Sequence, residues 1–502
     1  MFYNILPVHF VFFLPLGFIG IYRWLWFFAK LVAYMLYSPI IPLQNPTFTC
    51  RRDVTILVPT IDAGEEIKLA IKTWMKSEPY EIIFITIPSI KQSLIELGRS
   101  VDPNEEIVRV ITVDKGNKRK QMVAGVNEVK TALVIFCDDD VLWPSTMGQW
   151  LIAPFEDPKV GGIGTSQTVL PINKYFTIWE ILAAFRISMR NIEITASTKI
   201  DGGVCCLSGR TAAYRTQILK DPEFQREFVN EFWLGKYHQH SGDDKFLTRW
   251  LYFHSWKTYM QTCPQVELAS TFKDNYKFLI QLLRWTRNTW RSDFKSIFVE
   301  KKIWRQHPYT AFTMVDKFFN PITLLLGPVT IIYFLTSPHH TQVLPLWVIF
   351  TSYFVYLLIT RFIKYCPHFV RRPVDVLLLP IVILFNFYFA CLKIYCLFTL
   401  HITEWGTRSG ADTSGGHDDK VMDQKKGEKR DLHVEAADME ADDKRRSNKP
   451  APGSGVSQLP KKVYGNLKPA IDDEIPYNEP QVEPTPRTKR PPGKKSSLKT
   501  NI

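Results

Sequence analysis

The chain has 502 residues, room for two or three domains, with a formal charge of +13 and 46% hydrophobic residues. Apolar residues gather near the N-terminus and between about 309 and 400, while the last hundred residues hold few, which excludes a uniform soluble protein. The basic balance together with the apolar runs points to an anionic membrane surface and not to nucleic acid.

Eight cysteines without a CxxC pair or zinc-type histidine spacing argue against a disulfide framework or a structural zinc site. A reduced, cytosol-facing catalytic region is the simplest account. Residues 6–37 carry only Arg23 and Lys30 as charges; the run is too long for a signal-peptide core, and no small-residue cleavage site follows. We read one retained membrane anchor, its C-terminal side held in the cytosol by these residues with Arg51 and Arg52.

From Asp53 the pattern becomes α/β. Strands are expected at 54–59, 81–87 and 107–113 and a helix at 65–76, which predicts a parallel sheet covered on both faces. The loop 114–121 opens a helix running to about 130, and Lys115, Lys118, Arg119 and Lys120 around a glycine at its start form an anion cradle. Leu133, Val134, Ile135, Phe136 and Cys137 then make a buried strand that ends in Asp138, Asp139 and Asp140. In open α/β sheets ligands sit beyond the carboxyl ends of the strands, and alternate positions point the same way. Asp138 and Asp140 are therefore placed to share Mg²⁺ or Mn²⁺ and so to neutralise a diphosphate.

Residues 204–215 are small and carry two arginines, suiting a tight turn or a backbone surface approached by a ligand. Gly242 suits a turn, after which Asp243 and Asp244 start an amphipathic helix where the macrodipole favours carboxylates. Gln281, Arg284 and Trp285 fall at i, i+3 and i+4, one helical face fitted to a polyhydroxylated anionic ligand. Residues 318–335 and 344–363 have spanning length, and the basic loop between the second of these and the next apolar run lies inside. The run 374–403 is expected to be re-entrant or interfacial, breaking near Pro380 and continuing as a helix from about Tyr388 with Lys393 at the headgroups. Trp405 and a disordered tail from about 409 would then be cytosolic.

Together these residues resemble a processive family 2 glycosyltransferase of the hyaluronan, chitin and cellulose synthase group, closest in character to fungal type 2 glycosyltransferases. The resemblance runs from about Asp53 to Arg408. It implies a GT-A domain at 51–275 between an N-terminal anchor at 1–50 and an interfacial QxxRW region at 276–308, then membrane helices at 309–404 and the tail at 405–502. It also implies Asp138 and Asp140 as the metal-binding DxD, Asp244 as catalytic base beside Asp243, and Lys118, Arg119, Asp138 and Arg284 as donor-binding residues. Gln281 and Trp285 would meet the acceptor, and Trp405, Thr407 and Arg408 match a gating WGT(S/R) segment. Where the family has an aspartate pair after the second strand, this chain reads Ile85-Thr-Ile-Pro-Ser89, so Asp62 is assigned to the nucleotide base instead.

The implied activity is inverting transfer from a nucleotide-diphosphate sugar, a UDP-sugar in the first instance, to a growing cell-surface or cell-wall polysaccharide, at the plasma membrane and among its lipids. A glycolipid synthase of the ceramide glucosyltransferase type and a non-catalytic membrane scaffold are the alternatives.

Overall fold

A computed structural model describes residues 6–336 and 345–403; Trp405, Thr407, Arg408 and the charged tail lie outside the described residues. Seven strands, numbered here in chain order, form the main sheet: β1 Val54–Pro59, β2 Glu81–Thr86, β3 Val108–Thr112, β4 Leu133–Cys137, β5 Val160–Thr165, β6 Thr211–Arg215 and β7 Lys257–Gln261. Their spatial order is β7-β5-β6-β4-β1-β2-β3. Alternate side chains of the central strands enter opposite cores. Ile56, Phe84 and Ile135 pack with Trp74 on one face, while Leu57, Ile83 and Phe136 pack with Met122 on the other. Burial on both sides explains why these strands read as unbroken apolar runs.

The sheet is mixed, which corrects the all-parallel expectation. β6 runs antiparallel to both β4 and β5, pairing Ala212 with Phe136 and with Gly164. Its sequence, Thr-Ala-Ala-Tyr-Arg, is small instead of branched and carries little strand signal, yet smallness suits a position wedged between two neighbours. The reversal has a consequence for the site. The loop that precedes β6 arrives at the carboxyl end of β4, where the Asp138 amide donates to the Arg210 carbonyl at 3.0 Å. A second, three-stranded sheet joins Val141–Leu142, Gln167–Leu170 and Leu268–Thr271, and so extends the same edge.

Helices cover the sheet and stack beyond that edge. Ile178–Asp201 begins with a reciprocal cap between Thr177 and Glu180 and ends at Gly202 with φ +75°, a left-handed stop that glycine takes without strain. Leu6–Met35, Pro308–Thr336, Leu346–Arg371 and Leu379–Phe398 are long and rich in apolar residues. Among the described residues two stretches, Pro308–Ile332 and Pro373–Phe398, are long and apolar enough to cross a membrane. The last run does not break and restart near Tyr388. A 3₁₀ turn, Pro373–Leu378, leads into one continuous helix, and Pro380 sits in its first turn, where a missing N–H leaves no helical bond unmade.

Arg119 is corrected too. Lys118 and Arg119 open the helix Lys118–Glu128, and neighbours on a helix point about 100° apart. Arg119 therefore turns inward, 1% exposed, and donates to the Phe228 carbonyl and to Glu231, both at 2.8 Å. Glu231 also binds Arg249, and Lys295 at 2.9 Å. Burial alone would raise the Glu231 pKa, but Arg249, Arg119 and Lys295 outweigh it and hold the carboxyl far below its usual range. This network ties three helices to the domain and holds the Arg119 guanidinium in the core, away from the cavity wall that Asp138, Asp140, Asp243 and Asp244 share.

Removing the carboxylate in Glu231→Ala should cost about 3–5 kcal/mol, because uncompensated cations remain buried. Arg119→Met should also lower the thermal midpoint, yet leave the donor KM of the folded fraction within about twofold. Thermal denaturation and donor titration of the purified membrane protein check both expectations; a large rise in donor KM for Arg119→Met would restore the donor role.

Candidate active site

The three aspartates that leave β4 separate at once. Asp139 is buried and accepts a short hydrogen bond from the Thr60 hydroxyl. Asp138 pairs with Lys118, Nζ to Oδ1 2.7 Å, and Asp140 accepts from Thr271 Oγ1 at 3.2 Å. Burial pushes the Asp140 carboxyl up to about 6; Arg210 opposes the shift, and Asp138 and Asp139 add to it. Among the described residues no three or more His, Cys, Asp or Glu side chains are grouped to hold a metal, and Lys118 already meets Asp138; a hard divalent ion, which takes one or two carboxylates and completes its shell from phosphate and water, would draw on Asp138 and Asp140. Asp138 and Asp140 both face the cavity where a diphosphate would lie.

The second carboxylate pair comes from the start of the helix Asp243–Phe253. Gly242 precedes it with φ +82°, which a side chain would resist, and the sharp entry turns Asp243 and Asp244 toward β4. Lys118 Nζ lies 3.4 Å from Asp243, so one ammonium joins the two acidic groups. The pair is polarised. Burial raises both carboxyls, but Lys118 and Arg119 bring Asp243 below its usual value, while burial and the charge of Asp243 keep Asp244 above it. Asp244 accepts from the Lys245 amide at 2.8 Å and from the Cys206 thiol at 3.2 Å.

The third group is helical. Gln281, Arg284 and Trp285 on Lys277–Phe294 share a face that forms part of the same cavity wall as Asp138, Asp140, Asp243 and Asp244. Gln281 Oε1 is buried with no hydrogen-bond partner among the described residues. Trp285 meets Phe272 edge to face at 6.1 Å.

Arg210 completes the wall. It donates to Ser270, with its guanidinium 3.9 Å over the Phe272 ring and 5.8 Å from Trp285. Sequence reading left its segment open between a tight turn and a backbone surface approached by a ligand, without singling it out. Cys206 was read only as one of the small residues of that segment and Phe272 was missed altogether, since a buried thiol and a phenylalanine carry no motif. Asp62 lies exposed in the loop after β1, on the same sheet edge but outside the cavity wall, its amide bonded to Thr60 Oγ1 at 3.1 Å.

The cavity measures about 760 Å³ and continues past the aspartates between the apolar helices, where Arg23, Asp316, Asn320 and Asn386 face it. Arg23 and Asp316 pair at 2.7 Å.

Residues 51–288 match the model of the family described as "Glycosyltransferase like family 2". The chain is 39% identical over 411 residues to a type 2 glycosyltransferase of Zymoseptoria tritici, covering 78% of this chain and 85% of the relative. An NDP-glycosyltransferase of Aspergillus luteorubrus is 30% identical over 61% of this chain and 77% of its own length. Human hyaluronan synthase 3 is 26% identical over 47% and 43% respectively.

Replacing Arg210 by Met removes the cation that lowers the Asp140 pKa, which should then rise further above its present value near 6. Because a metal needs the ionised carboxylate, Mn²⁺ affinity should fall more at pH 6 than at pH 8 relative to the unaltered protein. Mn²⁺ titration followed by electron paramagnetic resonance reads this directly, and equal weakening at the two pH values would contradict it.

Proposed function

Since the chain belongs to the family 2 glycosyltransferases, we propose that it is a membrane-embedded inverting enzyme that extends a cell-surface polysaccharide from a nucleotide-diphosphate sugar and passes the product outward. The observation that supports this most is the single cavity, which has the two carboxylate pairs and the Gln281–Trp285 face on its walls and then runs on between the long apolar helices. The fungal relative named a type 2 glycosyltransferase and the relative named a hyaluronan synthase support sugar transfer as the activity; a UDP-sugar donor, a polymeric product and the plasma membrane are the further parts of this reading.

In this reading Asp244 is the base. Its raised pKa suits a carboxylate that must take a proton, and its place on the cavity wall is open to an acceptor hydroxyl entering there. The hydroxyl oxygen bonds to the anomeric carbon as the bond from that carbon to the diphosphate oxygen breaks. The proton goes to Asp244, the nucleoside diphosphate departs, and the anomeric configuration inverts. Lys118 keeps Asp243 ionised and holds Asp138 in place, while Arg284 and Arg210 supply positive charge for the departing diphosphate. A divalent ion held by Asp138 and Asp140 would neutralise that leaving group further. Asp62 would meet the nucleotide base from the β1 loop, and Gln281 and Trp285 would seat the acceptor sugar, the indole by stacking. Trp405, Thr407 and Arg408 would gate the passage between site and channel.

Asp244→Asn should reduce transfer by about 10²–10⁴ while sparing donor binding, because the amide keeps the shape and loses the base. Radiolabelled transfer from a panel of nucleotide sugars, with equilibrium donor binding on the same membranes, tests this; near-normal turnover would remove Asp244 from the role. Trp285→Ala should depress elongation more than donor hydrolysis. Equal loss of both would mean that Trp285 only packs against Phe272.

A further inference from the structure

Beyond the sheet edge the cavity wall carries a second set of charges that the transfer step does not use. Lys30 on Leu6–Met35, Lys317 on Pro308–Thr336, Lys364 on Leu346–Arg371 and Lys393 on Leu379–Phe398 line it together with one carboxylate, Glu193 of Ile178–Asp201. Only Lys317 comes within ion-pair range of it, at 3.9 Å, and Lys317 is shared with Asp293 at the same distance. Arg361, one turn before Lys364, and Arg186 face the same space. Asp316, the other acid here, is taken by Arg23. Among the described residues, Lys30, Arg186, Arg361, Lys364 and Lys393 therefore have no carboxylate within 4.0 Å, although all five line the cavity.

Ammonium and guanidinium groups among apolar helices are costly unless something of opposite charge answers them. A purely structural set would be expected to carry matching acids, as Arg23 and Asp316 do. Two of the rings present already carry cations, Trp26 with Lys30 at 5.6 Å and Phe389 with Arg186 at 4.5 Å and Lys393 at 5.0 Å, and a ring face offsets only part of a desolvated charge; a neutral sugar stacked there would compete with the cations and bring no counter-charge. The set is also separate from the diphosphate's own cations, Lys118, Arg210 and Arg284, which sit on the sheet edge and on Lys277–Phe294.

We propose that this inner half of the cavity is a binding site for an anionic group, a carboxylate or a phosphate, carried by the acceptor, with Lys30, Arg361, Lys364 and Lys393 as its cations. The inference rests on the glycosyltransferase reading and names the class of acceptor: one bearing regular or terminal negative charge, and not a neutral glucan. Two sources share this chemistry, a uronate-containing saccharide and a lipid monophosphate.

The test uses the full chain purified in detergent and four fluorescent probes: an oligoglucuronate, a neutral oligoglucoside of equal length, a polyprenyl monophosphate and the corresponding polyprenol. One anionic probe should bind at least about tenfold tighter than its neutral counterpart, and the member of the pair that does so identifies the source. In Lys364→Gln/Lys393→Gln that advantage should fall by about tenfold or more, and in Lys364→Arg/Lys393→Arg it should persist. Equal affinity for charged and neutral probes in the unaltered chain overturns the proposal, and needs no variant to fold. An advantage that survives in the glutamine variant overturns it too, by placing the anion elsewhere. Hydrolysis of nucleotide sugars by the unaltered chain is measured in parallel: its absence beside intact anion discrimination would sink the glycosyltransferase reading and leave the anion site standing.

Discussion

The ammonium of Lys118 is the interaction on which the site depends. It stands 2.7 Å from Asp138 and 3.4 Å from Asp243, and so fixes the end of β4 against the start of the helix Asp243–Phe253. These segments lie about a hundred residues apart, and no backbone hydrogen bond is needed to hold them in register. The cation also sorts the neighbouring carboxylates. Asp243 shares the charge and stays ionised, whereas Asp244, one residue on and pointing elsewhere, feels mainly burial and the charge of Asp243. One lysine thus converts two adjacent aspartates into groups with different jobs.

That arrangement needs a rigid support, and Glu231 provides it from behind. A buried carboxylate binding Arg119, Arg249 and Lys295 contributes little net stability compared with an apolar replacement, yet it tolerates few alternative geometries. It fixes the helix that carries Lys118, the helix that carries Asp244 and the end of the helix that carries Trp285. The backbone turn at Gly242 and the antiparallel β6 then bring Asp244, Cys206 and Arg210 to one wall. The precision of the site comes from these buried polar links more than from the apolar cores on either side of the sheet.

Much of this was legible in the sequence because the signals were local. Apolar runs such as Leu133–Cys137 end where their strands end, and the spacing of Gln281, Arg284 and Trp285 fixes their common face without reference to the rest of the chain. What could not be read depended on contacts between distant segments. Lys118 and Arg119 look alike in a basic loop, and only the position of Glu231 separates a cation at the site from one in the core. β6 lacked the branched residues of a strand because its neighbours, not its own propensity, dictate its place. Pro380 suggested a break, but a proline in a first turn starts a helix as readily as it ends one.

The charges among the apolar helices extend the same logic. On any one helix, Lys30, Lys317, Lys364 or Lys393 reads as a residue that snorkels to the headgroups. The fold instead places all four, with Glu193, on the wall of a cavity that also reaches the aspartates. A chain could have placed these lysines on outward faces at little cost to packing, as it does with many exposed apolar residues on the same helices. Glu193 and Asp293 beside Lys317 and the ring faces under Lys30 and Lys393 offset this charge only in part, and in the proposed reading a cavity that also reaches the aspartates is the route by which a further counter-charge would arrive.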